Sequence, residues 1–453
     1  MSALESWFRV LLVLVFSGSG SAAAAQSPEQ NPPVPGATVV HGRHGPDEPP
    51  LTLEGAVAEA LTKNPELLAL RRQFEAVRQR PAQERFLTAP TFEAQIWQWP
   101  IHTLNPARTN MYMFMLGQDI PGPGKRRLRS AVAEKDVELA ASEIALGARE
   151  VVTRVKRAYA DLFLARKGIE VHHASVDLMR QLAEIAQAKY ATGRISQQDV
   201  LKAVLELSKL HDHLLTLAEG ARIAEAQLNT LLDRPPGAAV GPLAPPQERA
   251  LLPSSETLQE LALQHQPELT VARLDAGRAD ARLAAVNAEY TPDFFAMGGY
   301  MLMPNDRDAW MAKVGITWPT APWSRGRLDA QRAEATAEIG AAQARVRTVE
   351  NALRLAVQEA HVRVKTAEAR AALLRTTIIP QSEQTLDVSR VAYQTDRVEF
   401  LAMIDNERAR LDAHLEYYRA LSELEQAVAD LERAVGTEIT PALFAPVNAE
   451  GVR

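Results

Sequence analysis

A sustained 4-3 alternation of apolar residues organises the first half of the chain. Between Pro123 and Pro235 lie 111 residues without a proline. Within this span, sixteen positions spaced alternately by four and three residues are apolar or aromatic, with one exception, His172. These positions are Val137, Ala141, Ile144, Ala148, Val151, Val155, Ala158, Leu162, Ala165, Ile169, His172, Val176, Met179, Ala183, Ala186 and Tyr190. So strict a spacing is typical of a coiled-coil interface rather than of an ordinary globular helix.

The same stretch is expected to fold back on itself near its middle. One helix from Gly124 to Tyr190 would be about 100 Å long, at roughly 1.5 Å per residue. The segment 191–194, Ala-Thr-Gly-Arg, supplies a turn in which Gly193 can take a positive φ. A second repeat follows at Val200, Val204, Leu207, His211, Leu214, Ala218, Ala221, Glu225, Leu228 and Leu232. The pattern predicts two long antiparallel helices with a tip near 191–198.

The order of the first half returns in the second half. Gln-Pro-Glu-Leu at 266–269 follows Asn-Pro-Glu-Leu at 64–67 by 202 residues, and Tyr393 follows Tyr190 by 203. The apolar repeat also returns, at Leu328, Arg332, Ala335, Ile339, Ala342, Val346, Val349, Leu353, Ala356 and Ala360. These landmarks predict an internal tandem duplication. Pro380 lies inside the first helix of the second hairpin and is expected to break or kink it.

The expected domain order places one repeat on either side of a linker. The N-terminus has a short apolar run followed by small residues, as a secretory signal does. A signal peptide (1–25) and a disordered lead-in (26–50) are expected to precede the first repeat (51–234), which has strands at about 87–120 and a hairpin at 124–234. A linker (235–253) is expected to lead to the second repeat (254–436), which has strands at about 290–320 and a hairpin at 325–436. The remaining residues, 437–453, are expected to form a tail.

The two inserts lose the helical period and are interpreted as membrane-crossing strands. Along the second insert, Trp310, Ala312 and Val314 alternate with Met311 and Lys313, and five of the six Trp lie in or beside the inserts. Alternation and aromatic enrichment of this kind are typical of transmembrane strands. The alternative is a soluble sheet packed on helices.

Two strands in each insert are too few to close a membrane barrel within one chain. A barrel needs about eight strands, and open strand edges in lipid leave backbone groups without partners. The chain is therefore expected to assemble with copies of itself, which gives about twelve strands from three copies or eight from two.

Composition excludes several other classes of protein. The 453 residues contain no Cys, so disulfides and thiolate chemistry are excluded. The net charge of −6 and the lack of a basic patch argue against a nucleic-acid partner. No P-loop, nucleophile elbow or GxGxxG motif is present. Neither enzymatic activity nor a cofactor is expected.

The motifs resemble those of the TolC-type outer-membrane efflux factors. The resemblance covers about residues 51–436 and includes Leu-Thr-Leu-Glu at 51–54, Asp-Ile-Pro-Gly-Pro-Gly-Lys at 119–125 and Trp-Ser-Arg-Gly-Arg-Leu at 323–328. It implies a mainly α chain whose helical hairpins form a tunnel, with four strands in a trimeric 12-stranded barrel in the outer membrane of a Gram-negative bacterium. The implied partners are a periplasmic adaptor and a proton-driven inner-membrane pump.

The resemblance also implies a constriction formed by rings of acidic residues near the second tip. Asp405 occupies one such position, whereas Ala402 occupies the other. Asp396 departs from the family pattern, which has Gly at that turn. At the first tip Asp199 is a candidate, and its alternative role is to cap a helix. The remaining tip candidates are Tyr190, Gly193, Arg194, Tyr393 and Arg397.

Seven of the ten Met raise the question of the exported cargo. They lie in the strand inserts, at Met111, Met113, Met115, Met297, Met301, Met303 and Met311. Thioethers are soft ligands suited to Cu(I) or Ag(I), and the chain looks similar to the heavy-metal branch of the family. The alternative is that Met fills space in the barrel wall or faces lipid.

The hairpin His residues are expected to be buried or to line the wall rather than to form a metal pair. His172 and His211 lie about 10 Å out of register if the tip is near 195. The expected function is a passive export duct, possible cargoes being copper or silver. The alternatives are a duct for drugs or secreted proteins and, in another class, a soluble periplasmic coiled-coil scaffold or adaptor.

Overall fold

The structure is a computed structural model that describes residues 50–97, 99, 101, 105, 108–245, 252–304, 306–395 and 397–439. The expected signal peptide, nearly all of the lead-in, Asp396 and most of the tail lie outside the described residues. The helices are α1 (Leu53–Lys63), α2 (Pro65–Val77), α3 (Arg80–Arg85), α4 (Lys125–Ala191), α5 (Gln197–Leu231), α6 (Ser255–His265), α7 (Pro267–Ala288), α8 (Arg325–Leu373), α9 (Ile379–Gln394) and α10 (Phe400–Val435). The strands are β1 (Thr91–Trp97), β2 (Met111–Ile120), β3 (Phe294–Leu302) and β4 (Ala309–Ile316). A mainly α chain with a small β part is thus confirmed.

The first hairpin contains one uninterrupted helix, α4, of 67 residues. It follows Gly124, whose φ of 84° is accessible to glycine at little cost. It ends at a turn where Gly193 has a φ of 72°. Because no proline interrupts this span and apolar residues return every three to four positions, α4 can pack against α5 over its tip half and against α7 as well.

The second hairpin differs because Pro380 interrupts its hydrogen bonding. The expected break does not occur, since the backbone remains helical from Leu373 to Ile379. A π-helical turn, Leu374–Ile378, directly precedes Pro380 instead. A π turn lets a helix re-form its hydrogen bonds around a residue that has no N–H to donate.

The duplication is visible in a matched joint within each repeat. Asn64 caps α2, and its Nδ2 donates to the carbonyl of Leu231 at the end of α5, at 3.0 Å. Gln266, 202 residues later, donates from Nε2 to the carbonyl of Arg433 at the end of α10, at 2.8 Å. Both amide side chains are buried. Each joint satisfies a carbonyl that the helix end leaves without an intrahelical partner.

Three large apolar clusters and a small one, between α8, the π turn and α10, form the core of the described part of the chain. One joins α1, α2, α4 and α5, and another joins α6, α8 and α10. The third joins α4, α5, α9 and α10, so the tip halves of the two hairpins share one core. The two hairpins therefore pack together as one antiparallel bundle near their tips.

The four strands form one antiparallel sheet in the order β1-β2-β3-β4. Met113 pairs with Gln95 on one side and with Met301 on the other, and Gly299 pairs with Met311. This register puts residues with odd numbers on one face and residues with even numbers on the other, because side chains alternate along each strand. No described helix is long and apolar enough to cross a bilayer.

Candidate channel surfaces and hairpin tips

The even-numbered face of the sheet is apolar and open to its surroundings. Val314 and Trp310 expose 84% and 82% of their surface. The other large exposed residues on this face are Phe92, Ile96, Phe114, Leu116, Ile120, Phe294, Leu302 and Ile316. A contiguous exposed apolar surface of this kind marks a membrane or protein contact.

The odd-numbered face carries polar side chains and six of the seven strand-region Met, with Met303 directly after β3. Glu93 pairs with Met115, and Met297 pairs with Lys313, which lies 5.3 Å from the ring of Phe295. The grouping of Met with Lys on one face agrees with the sequence alternation. One apolar face and one mixed polar face are what a barrel strand needs if lipid covers one side and water the other.

Two of these Met side chains fill the space that a glycine leaves on the neighbouring strand, a place called here a glycine notch. A Cβ at Gly299 would lie 2.8 Å from Cγ of Met115, and a Cβ at Gly117 would lie 3.1 Å from Cε of Met297. The two thioethers therefore lie flat on the neighbouring strand. For Met115 and Met297, packing is a sufficient explanation of the residue type.

A buried lysine joins the sheet to the helices. Lys125 is 2% exposed, and its Nζ lies 3.0 Å from Glu289 and 2.9 Å from Asp293. Asp293 also accepts from the backbone N–H of Gly122, where a Cβ would lie 2.4 Å from the Pro292 carbonyl oxygen. These contacts hold the start of α4 against the start of β3.

The positive charges at this junction lower the pKa values of both carboxyl groups. Burial alone would raise the pKa of Glu289, but hydrogen bonds from Arg129 and Lys125 outweigh it and hold the pKa below its usual value. The pKa of Asp293 is lowered in the same way by Lys125 and the Gly122 N–H, against the effect of burial. Both groups are therefore anionic at neutral pH.

The two hairpin tips close with the same backbone hydrogen bond. The N–H of Arg194 donates to the Lys189 carbonyl, and that of Arg397 donates to the Ala392 carbonyl, each at 2.9 Å. Tyr393 is 3% exposed, whereas its counterpart Tyr190 is 45% exposed. The Nζ of Lys189 lies 4.2 Å from the Tyr393 ring centroid and donates to its carbonyl. This contact ties the first tip to the second.

The two candidate Asp residues have different surroundings. Asp199 lies in the first turn of α5, where its carboxylate accepts from the Ser196 hydroxyl at 3.1 Å. That contact fits the helix-start role, because acidic groups stabilise the N-terminal end of a helix. Asp405 has a side chain that is 58% exposed and lies 3.4 Å from Arg408. The carboxylate of Asp405 is therefore exposed to solvent while it is paired with Arg408.

An ion pair near the tips was missed by the sequence analysis. Glu206 on α5 is 8% exposed and accepts two hydrogen bonds from Arg408 on α10. The hydrogen bond from Arg408 lowers the pKa of Glu206, although burial opposes it. The two residues lie 202 positions apart, and only the packing of α5 against α10 brings them together.

The structure places His213, rather than His211, beside His172. Its burial agrees with expectation, at 6% exposed, and its ring lies 6.0 Å from that of His213. His211, the residue considered from the sequence, is exposed and its Nδ1 meets the Leu207 carbonyl. The turn lies closer to 192 than to the assumed 195, which brings residue 213 rather than 211 level with residue 172.

A four-stranded amphipathic sheet that is joined to long antiparallel helical hairpins is typical of the channel-forming membrane proteins. A sequence model of the outer membrane efflux protein family matches residues 56–234 and again 258–437. The chain belongs to this family, whose members work in the outer membrane of Gram-negative bacteria. The double match confirms the tandem duplication. Membership sets aside the alternative of a soluble scaffold.

Similar proteins support the same fold. The chain is 23% identical to the cobalt-zinc-cadmium resistance protein CzcC of Cupriavidus metallidurans over 392 residues, 85% of this chain and 90% of the relative. The outer membrane protein VceC of Vibrio cholerae superposes with a TM-score of 0.70 at 19% identity, covering 85% of this chain and 96% of VceC. The CmeC outer membrane channel of Campylobacter jejuni gives 0.72 at 12% identity, covering 91% and 94%.

Proposed function

We propose that three copies of this chain form a passive outer-membrane duct that exports heavy-metal cations within a tripartite efflux system. A periplasmic adaptor and a proton-driven inner-membrane pump would supply the other two parts and the energy. The family consists of channel proteins, whose members act as trimers in such systems. The observation that carries the proposal for this chain is a sheet with one apolar exposed face and two open edges, β1 and β4.

The open edges support assembly with further copies. In lipid, every N–H and C=O on an edge strand needs a partner, and pairing β4 of one copy with β1 of the next supplies it. Three copies give about twelve strands, within the range of known barrels. Exposed apolar residues on α5 and on α8–α9 offer a matching helical contact: Leu201, Val204, Leu205, Leu215 and Ile223, and Leu355, Val362, Leu373, Val388 and Val391. Purified protein in detergent that remains a monomer would contradict this assembly.

Two observations support the proposal of a metal cargo: the similarity of the chain to CzcC and the Met side chains on the odd-numbered face of the sheet. The name of CzcC assigns it to cobalt, zinc and cadmium resistance. The thioethers in this chain favour softer cations such as Cu(I) and Ag(I). Because Met115 and Met297 fill glycine notches, the candidates for cation contact are Met111, Met113, Met301, Met303 and Met311.

Deletion of the gene is expected to lower tolerance to at least one heavy-metal cation, and the intact gene is expected to restore it. Growth should be compared on copper, silver, zinc, cobalt, cadmium and a drug panel. A second strain should carry Leu at Met111, Met113, Met301, Met303 and Met311, with Leu at Met115 and Met297 as the matched control. If tolerance falls only for drugs, the cargo is the small-molecule alternative. If the five Leu substitutions leave copper and silver tolerance unchanged, the thioethers serve packing alone.

Neutralising Asp405 is expected to weaken cation selectivity. In a trimer, three Asp405 carboxylates around one axis would attract cations at the constriction. Asp405→Asn in planar bilayers should lower the cation-over-anion permeability ratio several-fold. Asp199→Asn is the control, because the carboxylate of Asp199 is engaged by Ser196. Equal effects of the two substitutions would remove Asp405 from the proposed constriction.

A further inference from the structure

Two histidines from different helices face each other in the first hairpin. His172 on α4 is buried, and His213 on α5 is exposed at the surface above it. Their ring centroids are 6.0 Å apart and the ring planes are inclined by 46°. The proposed duct uses neither residue, and the 4-3 repeat accounts only for the position of His172.

A contact with the backbone leaves one ring nitrogen of His172 able to act as a metal ligand. Its Nδ1 lies 2.9 Å from the carbonyl oxygen of Gly168. Since a carbonyl can only accept, Nδ1 carries the proton and Nε2 keeps its lone pair. Histidines that bind metals commonly donate their other N–H in this way. Burial lowers the pKa of His172, so the ring is neutral at neutral pH.

The register that holds the pair is fixed one turn away. Leu217 on α5 lies against Gly168 on α4, with its Cδ2 3.5 Å from the Cβ position of residue 168. Residues 168 and 217 lie four positions from 172 and 213, in opposite directions along the two antiparallel helices. Packing therefore sets the spacing of the two rings before any ligand arrives.

We propose that His172 and His213 bind a divalent cation of borderline softness, such as Zn²⁺, Co²⁺ or Ni²⁺, between α4 and α5. Imidazole suits these ions, with metal–nitrogen distances of about 2.0–2.1 Å for zinc. The 6.0 Å between the ring centroids leaves room for one ion between the two rings. No group of three His, Cys, Asp or Glu that could hold a metal occurs among the described residues. Water completes the coordination, so the ion exchanges readily.

The charges around the pair favour a cation at this place. Asp412 on α10 acts on His172 electrostatically in the sense that stabilises positive charge. His173 and His213 act in the opposite sense while they carry protons. Metal binding removes the contribution of His213, because both ligands must be deprotonated.

The test uses purified full-length protein in which His41→Ala and His44→Ala remove the lead-in histidines. Zn²⁺ binding is measured by calorimetry, and Co²⁺ binding by visible absorbance. We expect one ion per chain, at least tenfold weaker binding after His213→Ala, and unchanged binding after His211→Ala. His211 is the matched control, because it is exposed on the same helix and its Nδ1 also meets a backbone carbonyl.

A rescue separates ligation from packing. His213→Cys should restore Zn²⁺ binding and give Co²⁺ a thiolate charge-transfer band, since thiolate is a good ligand for both ions. Absence of a bound ion in the parent protein, or equal affinity in the His213→Ala and His211→Ala proteins, would overturn the proposal. Because binding is measured on purified protein and cargo is measured by growth, the site can fail without the proposed function failing, and the reverse also holds.

Discussion

Lys125→Met is expected to lower the free energy of unfolding by about 3–5 kcal/mol. The substitution keeps the length of the side chain but leaves Glu289 and Asp293 without their shared cation at a buried joint. Because the two carboxylates are about one-third exposed, at 33% and 37%, the lower end of that range is expected. Thermal unfolding of the purified protein, with the yield of assembled protein in the outer membrane, measures the effect.

Lys135→Met is the matched control on the same helix. Among the described residues Lys135 forms an ion pair with Glu138 alone, at an exposed site, so its loss should change stability by less than about 1 kcal/mol. The pKa values of Glu289 and Asp293 are lowered, so their contribution is present above the unfolded-state values of about 4 and is lost as the pH falls through the lower folded values. The Lys125→Met protein and the parent should therefore converge in strong acid. Equal stability of the Lys125→Met and Lys135→Met proteins at neutral pH would show that the junction does not depend on this charge.

Ala312→Arg is expected to prevent insertion of the sheet into the outer membrane. Ala312 lies in the middle of β4 on the exposed apolar face, opposite Gly298, so steric crowding is small. An arginine on the lipid side of a barrel costs about 2–4 kcal/mol per chain near the bilayer midplane. The amount of assembled protein in the outer-membrane fraction should fall accordingly.

Met311→Arg is the control for Ala312→Arg. Met311→Arg places the same charge one position earlier on the opposite face, beside Lys313, where water is expected. Normal assembly of the Met311→Arg protein and failure of the Ala312→Arg protein would fit a bilayer on the even-numbered face. Were the sheet surrounded by water on both sides, Arg at position 312 would be tolerated, and the lipid assignment would be wrong.

Several features could be predicted from the sequence because they are periodic or local. The 4-3 repeat indicated helix α4, and the alternation around Trp310 indicated both the strands and the two faces of the sheet. The offset of about 202 residues indicated the duplication, because the Asn64 and Gln266 joints need an amide at the same place in each repeat. The helical and strand periods arise from neighbours within one or two turns, and the duplication is visible because the same residues return at one offset.

Long-range contacts were harder to predict. The charge network of Lys125, Glu289 and Asp293 joins residues more than 160 positions apart, and no pattern along the chain links them. The position of the tip was misjudged by a few residues, so His172 was compared with His211 and its real neighbour, His213, was missed. Pro380 was expected to break or kink its helix; the backbone stays helical, but the α-helix gives way to a π turn just before Pro380.

The sequence by itself determined the elements of this protein: two copies of a helical hairpin, each preceded by an amphipathic pair of strands. Periodicity specifies which face of each element is apolar, and that much follows from local geometry. Only the tertiary structure decided which side chains meet, such as Lys125 with its two carboxylates and His172 with His213. The reason is that the register between packed helices depends on close packing along their whole length, and a shift of two residues changes every partner.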